Sequence, residues 1–286
     1  MKRQIAASKR TDVLLPVRTP LGRSLRTAWL AVVTGCCLAP APALAADVTV
    51  RQLVERLHLA DRANPIDISH LDLRDLDMSG LNFKGAKLSG SDLFGADLTG
   101  ADLSNADLSA ACLDRVVIIG VRFDAANLVG ASLLRPSAFS TLSSPRGEAA
   151  SFVGANLARA KIFGRLNRAN LHGANLSGAT LAPFGRTGFI EHIWRTELRG
   201  ADLSQAILKD ADLTYTLLAF ANLRGANLSG AVLKRADLSG ADLTGADLTG
   251  ADLSEADLEG AILVDVRGLE TVLGLASARN VEKVVR

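Results

Sequence analysis

Residues 236–260 read ADLSG ADLTG ADLTG ADLSE ADLEG, five tandem copies of a unit whose central residue is always Leu. A period of five matches neither the 3.6-residue repeat of an α-helix nor the two-residue alternation of a strand. Either element, if continuous, would scatter its leucines over every face. Helix is further opposed by the recurrent glycine, which costs about 1 kcal/mol each relative to Ala, and by Asp, Asn, Ser and Thr, which compete for nearby backbone groups. The unit suits a chain that turns once every five residues. With the central apolar residue called i, positions i and i−2 point to one side, as in a strand, while the polar residues and glycine supply the turn.

Working outward, the register holds without slip for 14 units from Ile68 to Leu133 and for another 14 from Leu198 to Leu263. In the second block Leu fills every i position and Ala fills 12 of the 14 positions i−2. Shorter pieces in shifted registers lie between, centred on Phe152, Leu157 and Ile162 and then on Leu171, Leu176 and Leu181. This A-(D/N)-L-X-X array, over roughly residues 66–265, resembles the pentapeptide-repeat family. The resemblance implies an all-β fold, a right-handed quadrilateral parallel β-helix of four units per turn, with i and i−2 inside and the other positions in solvent. Successive coils would bond at the strand spacing of about 4.8 Å. Each buried Leu would contribute roughly 1.5–3 kcal/mol against chain entropy, and a narrow, close-packed tube favours Ala at i−2.

Four units per coil place i−1 residues 20 apart on one face. The ladders Asp67/Lys87/Asp107/Asn127, Asn82/Asp102/Arg122 and Asp202/Asn222/Asp242 then separate stacked carboxylates by a cation or a neutral group, which lessens like-charge repulsion. Asp72/Asp92, Asp77/Asp97 and Asp237/Asp257 are exceptions that carry a cost or take up a cation.

A solenoid needs covers for its ends. Within residues 46–65, Val50, Leu53, Val54 and Leu57 have helical spacing, with Asp47 or Thr49 as cap. Residues 266–286, carrying Leu269, Val272, Leu273 and Leu275 and ending with Val281 and Val284, read as a C-terminal loop-and-helix cap. The alternative for these helices is a homodimer contact.

Residues 1–45 read as an export signal: a basic stretch to Arg26, an apolar run from Ala28 to Leu38, and Ala43-Leu44-Ala45 as cleavage site. The run is shorter than the about 20 residues that span a bilayer, so no transmembrane segment is expected in the mature chain. Val33-Thr34-Gly35-Cys36 also resembles a lipobox, which makes lipidation at Cys36 the competing expectation. Seven basic residues and one acid precede Ala46, so a formal charge of +2 becomes about −4 on the remainder. Cleavage after Ala45 leaves Cys112 as the only cysteine, at an outward i−1 position, where an exposed thiol is expected.

Two interruptions, residues 135–150 and 182–195, break the array, and loops on a rigid scaffold carry function disproportionately often. The second concentrates Phe184, Phe189, His192 and Trp194, with Tyr215 and Phe220 further on as extensions of one interaction patch. The plainer reading is that these aromatics pack the loop on the wall. His58, His70, His172 and His192 have no partner at metal-ligand spacing, and the glycines recur as turn residues rather than as a phosphate loop. No catalytic residue, cofactor or metal is therefore expected. The chain reads as a non-enzymatic, exported structural or protein-binding scaffold of the bacterial envelope, periplasmic or secreted, with an unidentified protein partner and no nucleic acid. The alternative comes from the resemblance: some members mimic B-form DNA and bind type II topoisomerases, an activity requiring a cytoplasmic chain and a stronger negative charge.

Overall fold

The computed structural model describes residues 47–61, 63–83, 85–141, 146–183 and 195–285. From Asp67 onward the chain coils with four short extended sides per turn, and single-residue parallel bridges join each side to the coils before and after. Four ladders result, which we number as faces one to four from their first residues, Asp67, Asp72, Asp77 and Asn82. In each regular unit, the N–H at i−2 donates to the preceding i carbonyl, as Ala96 does to Leu93 at 3.0 Å. The residue at i+2 has positive φ, which a β-turn of this kind demands. Bonds between coils use the remaining groups: Leu73 N donates to Asp92 O at 2.8 Å, and Asp92 N to Leu71 O at 3.0 Å.

The interior is what the register predicts. The i residues are buried, many at 0% exposure, and Ala at i−2 is equally buried. On face four Phe123 and Phe152 stack in successive coils, with ring centroids 4.9 Å apart. Three polar residues replace apolar ones at i−2. Ser91 Oγ donates to Ile68 O at 2.9 Å and Thr196 Oγ1 to Leu181 O at 2.6 Å, whereas Thr216 Oγ1 is buried without a partner among the described residues.

The i−1 carboxylates and carboxamides have a local task that spacing alone did not reveal. Each accepts a hydrogen bond from the backbone N–H two residues on, as Asp97 does from Thr99 N at 2.8 Å and Asn227 from Ser229 N at 3.0 Å. Neutral separators in the ladders bond to the acids as well as diluting them: Asn127 Nδ2 donates to Asp107 at 2.9 Å, and Asn222 Nδ2 to Asp202 at 2.9 Å. Of the exceptional pairs, Asp72/Asp92 is bridged by Arg74, at 2.5 and 3.6 Å. Asp237 and Asp257 meet Arg199 at 4.0 Å and Arg279 at 3.3 Å. Among the described residues no cluster of His, Cys, Asp and Glu has the makings of a metal site.

Face one runs Asn127–Asn156–Asn175–Ile207–Asn227, so its ladder continues past both interruptions, as do those of faces two and four. The one shortened unit lies at Phe163–Gly164, where a coil loses a residue. There β1 (Ser132–Leu134) and β2 (Lys161–Phe163) pair in parallel, the only strands longer than one residue among those described.

At the N-terminal end α1 spans Val50–Leu59 and buries Leu53 and Leu57 over the first coil. Thr49, rather than Asp47, caps it, in a reciprocal capping box with Gln52. Asp47 instead pairs with the first coil's edge, donating from its N to Asp72 O and accepting from Asp72 N.

The C-terminal cap takes a form the sequence reading missed. In place of a loop and α-helix, the chain makes a final coil of six-residue units whose bridging residues are Arg267, Leu273, Arg279 and Val285. Each unit turns through a left-handed residue (Gly268, Gly274 or Asn280) into a single 3-10 turn, at Leu269–Thr271, Leu275–Ser277 and Val281–Lys283. Short runs of an unfamiliar period hide such a unit: the apolar residues Leu269, Val272, Leu275, Ala278, Val281 and Val284 have a spacing of three, close to that of a helix face. No described helix is long and apolar enough to cross a membrane.

Candidate binding corner

The four corners of the coil differ in what occupies the positive-φ position. Between faces three and four, glycine holds six sites (Gly80, Gly100, Gly120, Gly200, Gly240, Gly260), with Arg168, Phe220 and, in the terminal coil, Asn280 the others. Between faces two and three, Gly95 and, in the terminal coil, Gly274 are the turn glycines, Gly164 (φ 156°) belonging to the shortened unit; the other positive-φ residues are Asp75, Arg115, Arg135, Tyr215, Arg235 and Glu255. A side chain at positive φ costs roughly 1–2 kcal/mol, so this corner carries charged and aromatic groups against a local conformational preference. The second interruption leaves the wall at the same corner, between Thr180 on face two and Glu197 on face three.

Two clefts lie along this corner. The larger, about 650 Å³, is lined by Arg195, Tyr215, Arg235, Glu255, Ser277 and Arg279. The guanidinium groups of Arg195 and Arg235 lie 5.6 and 5.5 Å from the centroid of the Tyr215 ring, within cation–π range. Arg235 Nη1 donates to the Tyr215 hydroxyl, and its Nε to Glu255 at 2.7 Å. The Arg235 pairing holds the Glu255 carboxyl below its usual value. Arg195 Nε is buried and has no hydrogen-bond partner among the described residues. The smaller cleft, about 240 Å³, is lined by Phe94, Asp114, Arg115, Leu134, Arg135 and Phe163, with Arg115 5.6 Å from the Phe94 centroid.

The predicted interaction patch divides. Phe184, Phe189, His192 and Trp194 lie outside the described residues, as does Cys36. Tyr215 stands on the corner beside the base of their loop, but Phe220 stands on the next one, at the far edge of face three. Tyr215 and Phe220 therefore do not form one patch, because five residues along this chain is one full side of the square. Phe220 is 74% exposed, and its ring lies over the site where a Cβ on Gly240 would sit. Cys112 is not an exposed thiol. It is 3% exposed and disulfide-bonded, on a covered stretch of wall where Ser132 and Asp114 are buried as well. An outward position predicts exposure only where nothing overlies that face. The arginines of the corner were missed by sequence reading, since each looks like an incidental substitution until coils are stacked in register.

A model described as pentapeptide repeats matches the chain in eight copies, over residues 67–100, 101–133, 148–182, 196–234 and 226–265. Among solved structures, the chain is similar to HetL, a pentapeptide repeat protein involved in heterocyst differentiation regulation from the cyanobacterium Nostoc. The two share 29% identity over 83% of this chain and 94% of HetL, at a TM-score of 0.57. It also matches a pentapeptide repeat protein of the Arabidopsis thaliana thylakoid lumen (32% identity, 37% of this chain, 63% of that one, TM-score 0.26). A third match is QnrB1, a plasmid-mediated fluoroquinolone resistance protein (18% identity, 77% of this chain, 90% of that one, TM-score 0.38). The last two superpose too poorly to carry an argument. No curated protein sequence matches the chain significantly.

Proposed function

The chain belongs to the pentapeptide-repeat family and has its right-handed quadrilateral β-helix, and from that premise we propose that it is a non-enzymatic scaffold, exported to the bacterial envelope, that binds a protein partner along the corner between faces two and three. One observation carries the reading: at that corner arginine and tyrosine stand where the other corners favour glycine or a small residue, beside both clefts and the base of a 12-residue insertion in the ladder. Arg and aromatic residues are the types enriched where protein surfaces are buried by partners. Holding them on a rigid wall removes much of the ordering cost that binding imposes.

Export rests on the signal-like residues 1–45 and on the change in formal charge that their removal brings. The topoisomerase-directed alternative requires a continuous acidic face, and among the described residues Arg74, Arg122, Arg199, Arg224, Arg267 and Arg279 interrupt the carboxylate ladders by direct ion pairs.

The test expresses the full-length gene in a Gram-negative host with a photo-crosslinking residue at Lys234, on the corner, or at Ser104, on the diagonally opposite corner between faces four and one. The expected result is a soluble periplasmic product beginning near Ala46, with a discrete adduct from Lys234 and none from Ser104. Cys36 and Cys37 are the only other cysteines in the sequence, so cleavage after Ala45 removes every possible partner of the Cys112 disulfide and leaves a lone thiol that reacts with a maleimide once the chain is unfolded, whereas a Cys112 still held in an intramolecular disulfide rejects that cleavage. Equal adducts from both sites reject the corner. A chain retained intact in the cytoplasm rejects export and makes a supercoiling assay the next measurement.

A further inference from the structure

We propose that the cleft at Arg195, Tyr215 and Arg235 is an oxyanion site that receives a carboxylate or phosphate group. The proposal rests on reading this corner as the binding surface, and deepens it by naming what is bound. Three guanidinium groups, of Arg195, Arg235 and Arg279, line a space of about 650 Å³ against one lining carboxylate, Glu255. That carboxylate is already committed to Arg235 Nε, and Arg279 also meets Asp257 on face three at 3.3 Å.

Arg195 is the unbalanced member. Its Cζ lies 5.6 Å from the Tyr215 ring centroid, yet among the described residues its buried Nε has no hydrogen-bond acceptor. A buried donor without a partner is rare in native proteins and calls for a water, ion or ligand to complete it. Arginine presents planar donors suited to carboxylate and phosphate, and a site with surplus guanidinium favours an anion over a neutral acceptor. Ser277 adds a hydroxyl to the same lining, while its Oγ donates to Gly274 O at 2.8 Å.

The experiment follows the arginine Nε–H resonances of the full chain labelled with 15N-arginine, the Arg195 signal being assigned by its loss in Arg195→Lys. Inorganic phosphate and N-acetylglutamate are titrated separately at constant ionic strength, with sodium chloride as control. The expected result is a saturable shift of the Arg195 resonance with at least one of the two. It should weaken five-fold or more in Arg235→Gln and in Arg279→Gln, and tighten several-fold in Glu255→Gln. Saturation by phosphate alone assigns a phosphate-bearing ligand; saturation by N-acetylglutamate alone or by both assigns an acidic side chain of the partner. A shift that does not saturate, or one that sodium chloride reproduces, overturns the site. Far-UV circular dichroism confirms that each variant remains coiled. If the Lys234 adduct forms but neither anion shifts Arg195, the oxyanion site fails while the binding corner stands.

Discussion

Thr216 illustrates how one side chain can depart from a repeat at a cost. It takes an i−2 position that the array gives to Ala, and its hydroxyl is buried without a partner. Thr216→Ala should therefore raise stability by about 1–2 kcal/mol, the desolvation of an unmade hydrogen bond, read as a higher urea midpoint. Thr196→Ala should lower it by about 0.5–1.5 kcal/mol, because Thr196 Oγ1 has Leu181 O as an acceptor at 2.6 Å. The pair is a strict comparison, since both residues occupy the same position of the unit. An equal effect of the two substitutions would reject this account. The same scale separates inward from outward positions. Leu248 is fully buried, so Leu248→Lys places an unpaired charge in the tube and should cost about 3–5 kcal/mol. Asp247→Lys is not the silent control that its outward position suggests. Asp247 accepts from Thr249 N at 3.0 Å and from Thr249 Oγ1 at 2.6 Å, so Asp247→Asn, which keeps an acceptor and loses only the charge, is the milder control and should cost far less than Leu248→Lys.

At the scale of elements, the turn-capping carboxylates make the coil sensitive to acid. Backbone and side-chain hydrogen bonds from Ser69 hold the Asp67 carboxyl below its usual value. The side chain of Arg74 does so at Asp72, and the side-chain and backbone donors of Ser79 and Thr249 do so at Asp77 and Asp247. At Asp102 and Asp242 burial pushes the other way and is outweighed by hydrogen bonds from Ser104 with Arg122, and from Thr244 with Arg224. A depressed folded value means that the folded state binds fewer protons than the unfolded one. Its stabilisation is complete above the unfolded carboxylate value, about 4, and is lost as pH falls through the lower folded values. Melting temperature should thus hold between pH 7 and 5 and fall steadily below about 4; a flat profile through that range would show that the caps contribute nothing. The terminal six-residue coil offers a separate test. A Cβ at Gly268 or Gly274 would lie 2.5 or 2.6 Å from the Cα of Thr249 or Ser254, at φ 71° and 69°. Neither backbone can yield cheaply. Gly274→Ala should raise hydrogen exchange across residues 267–285 and leave the upstream coils protected, the behaviour of a stack whose units touch only their neighbours.

For the whole molecule, ladder continuity past both insertions predicts that the loops are dispensable for folding. Excising residues 184–194 with a short reclosure should preserve the far-UV spectrum and a single cooperative melt; loss of folding would mean that the loop is part of the wall. Much of the molecule was legible beforehand because its core is set by local period. A Leu every five residues with Ala two before it, as at Ala236 and Leu238, buries the same two side chains whichever coil lies above. α1 was legible for the same reason, since Leu53 and Leu57 share a helix face. What spacing along the chain did not contain was the relation between residues in different coils. Asn127 pairs with Asn156 and Asn175 with Ile207, offsets of 29 and 32 because insertions intervene, while Asn156 pairs with Asn175 at an offset of 19 because of the shortened unit. Only stacking decides which corner a residue shares, and only stacking puts Arg195, Tyr215 and Arg235 together and separates Phe220 from them. The repeat and its inward positions were legible in the chain alone, because they depend on contacts within a few residues, and the square coil came from the family resemblance that the repeat carries. The tertiary structure decided the corner, its clefts and the unpartnered Arg195 Nε, because these depend on side chains that meet only when one coil is laid on the next.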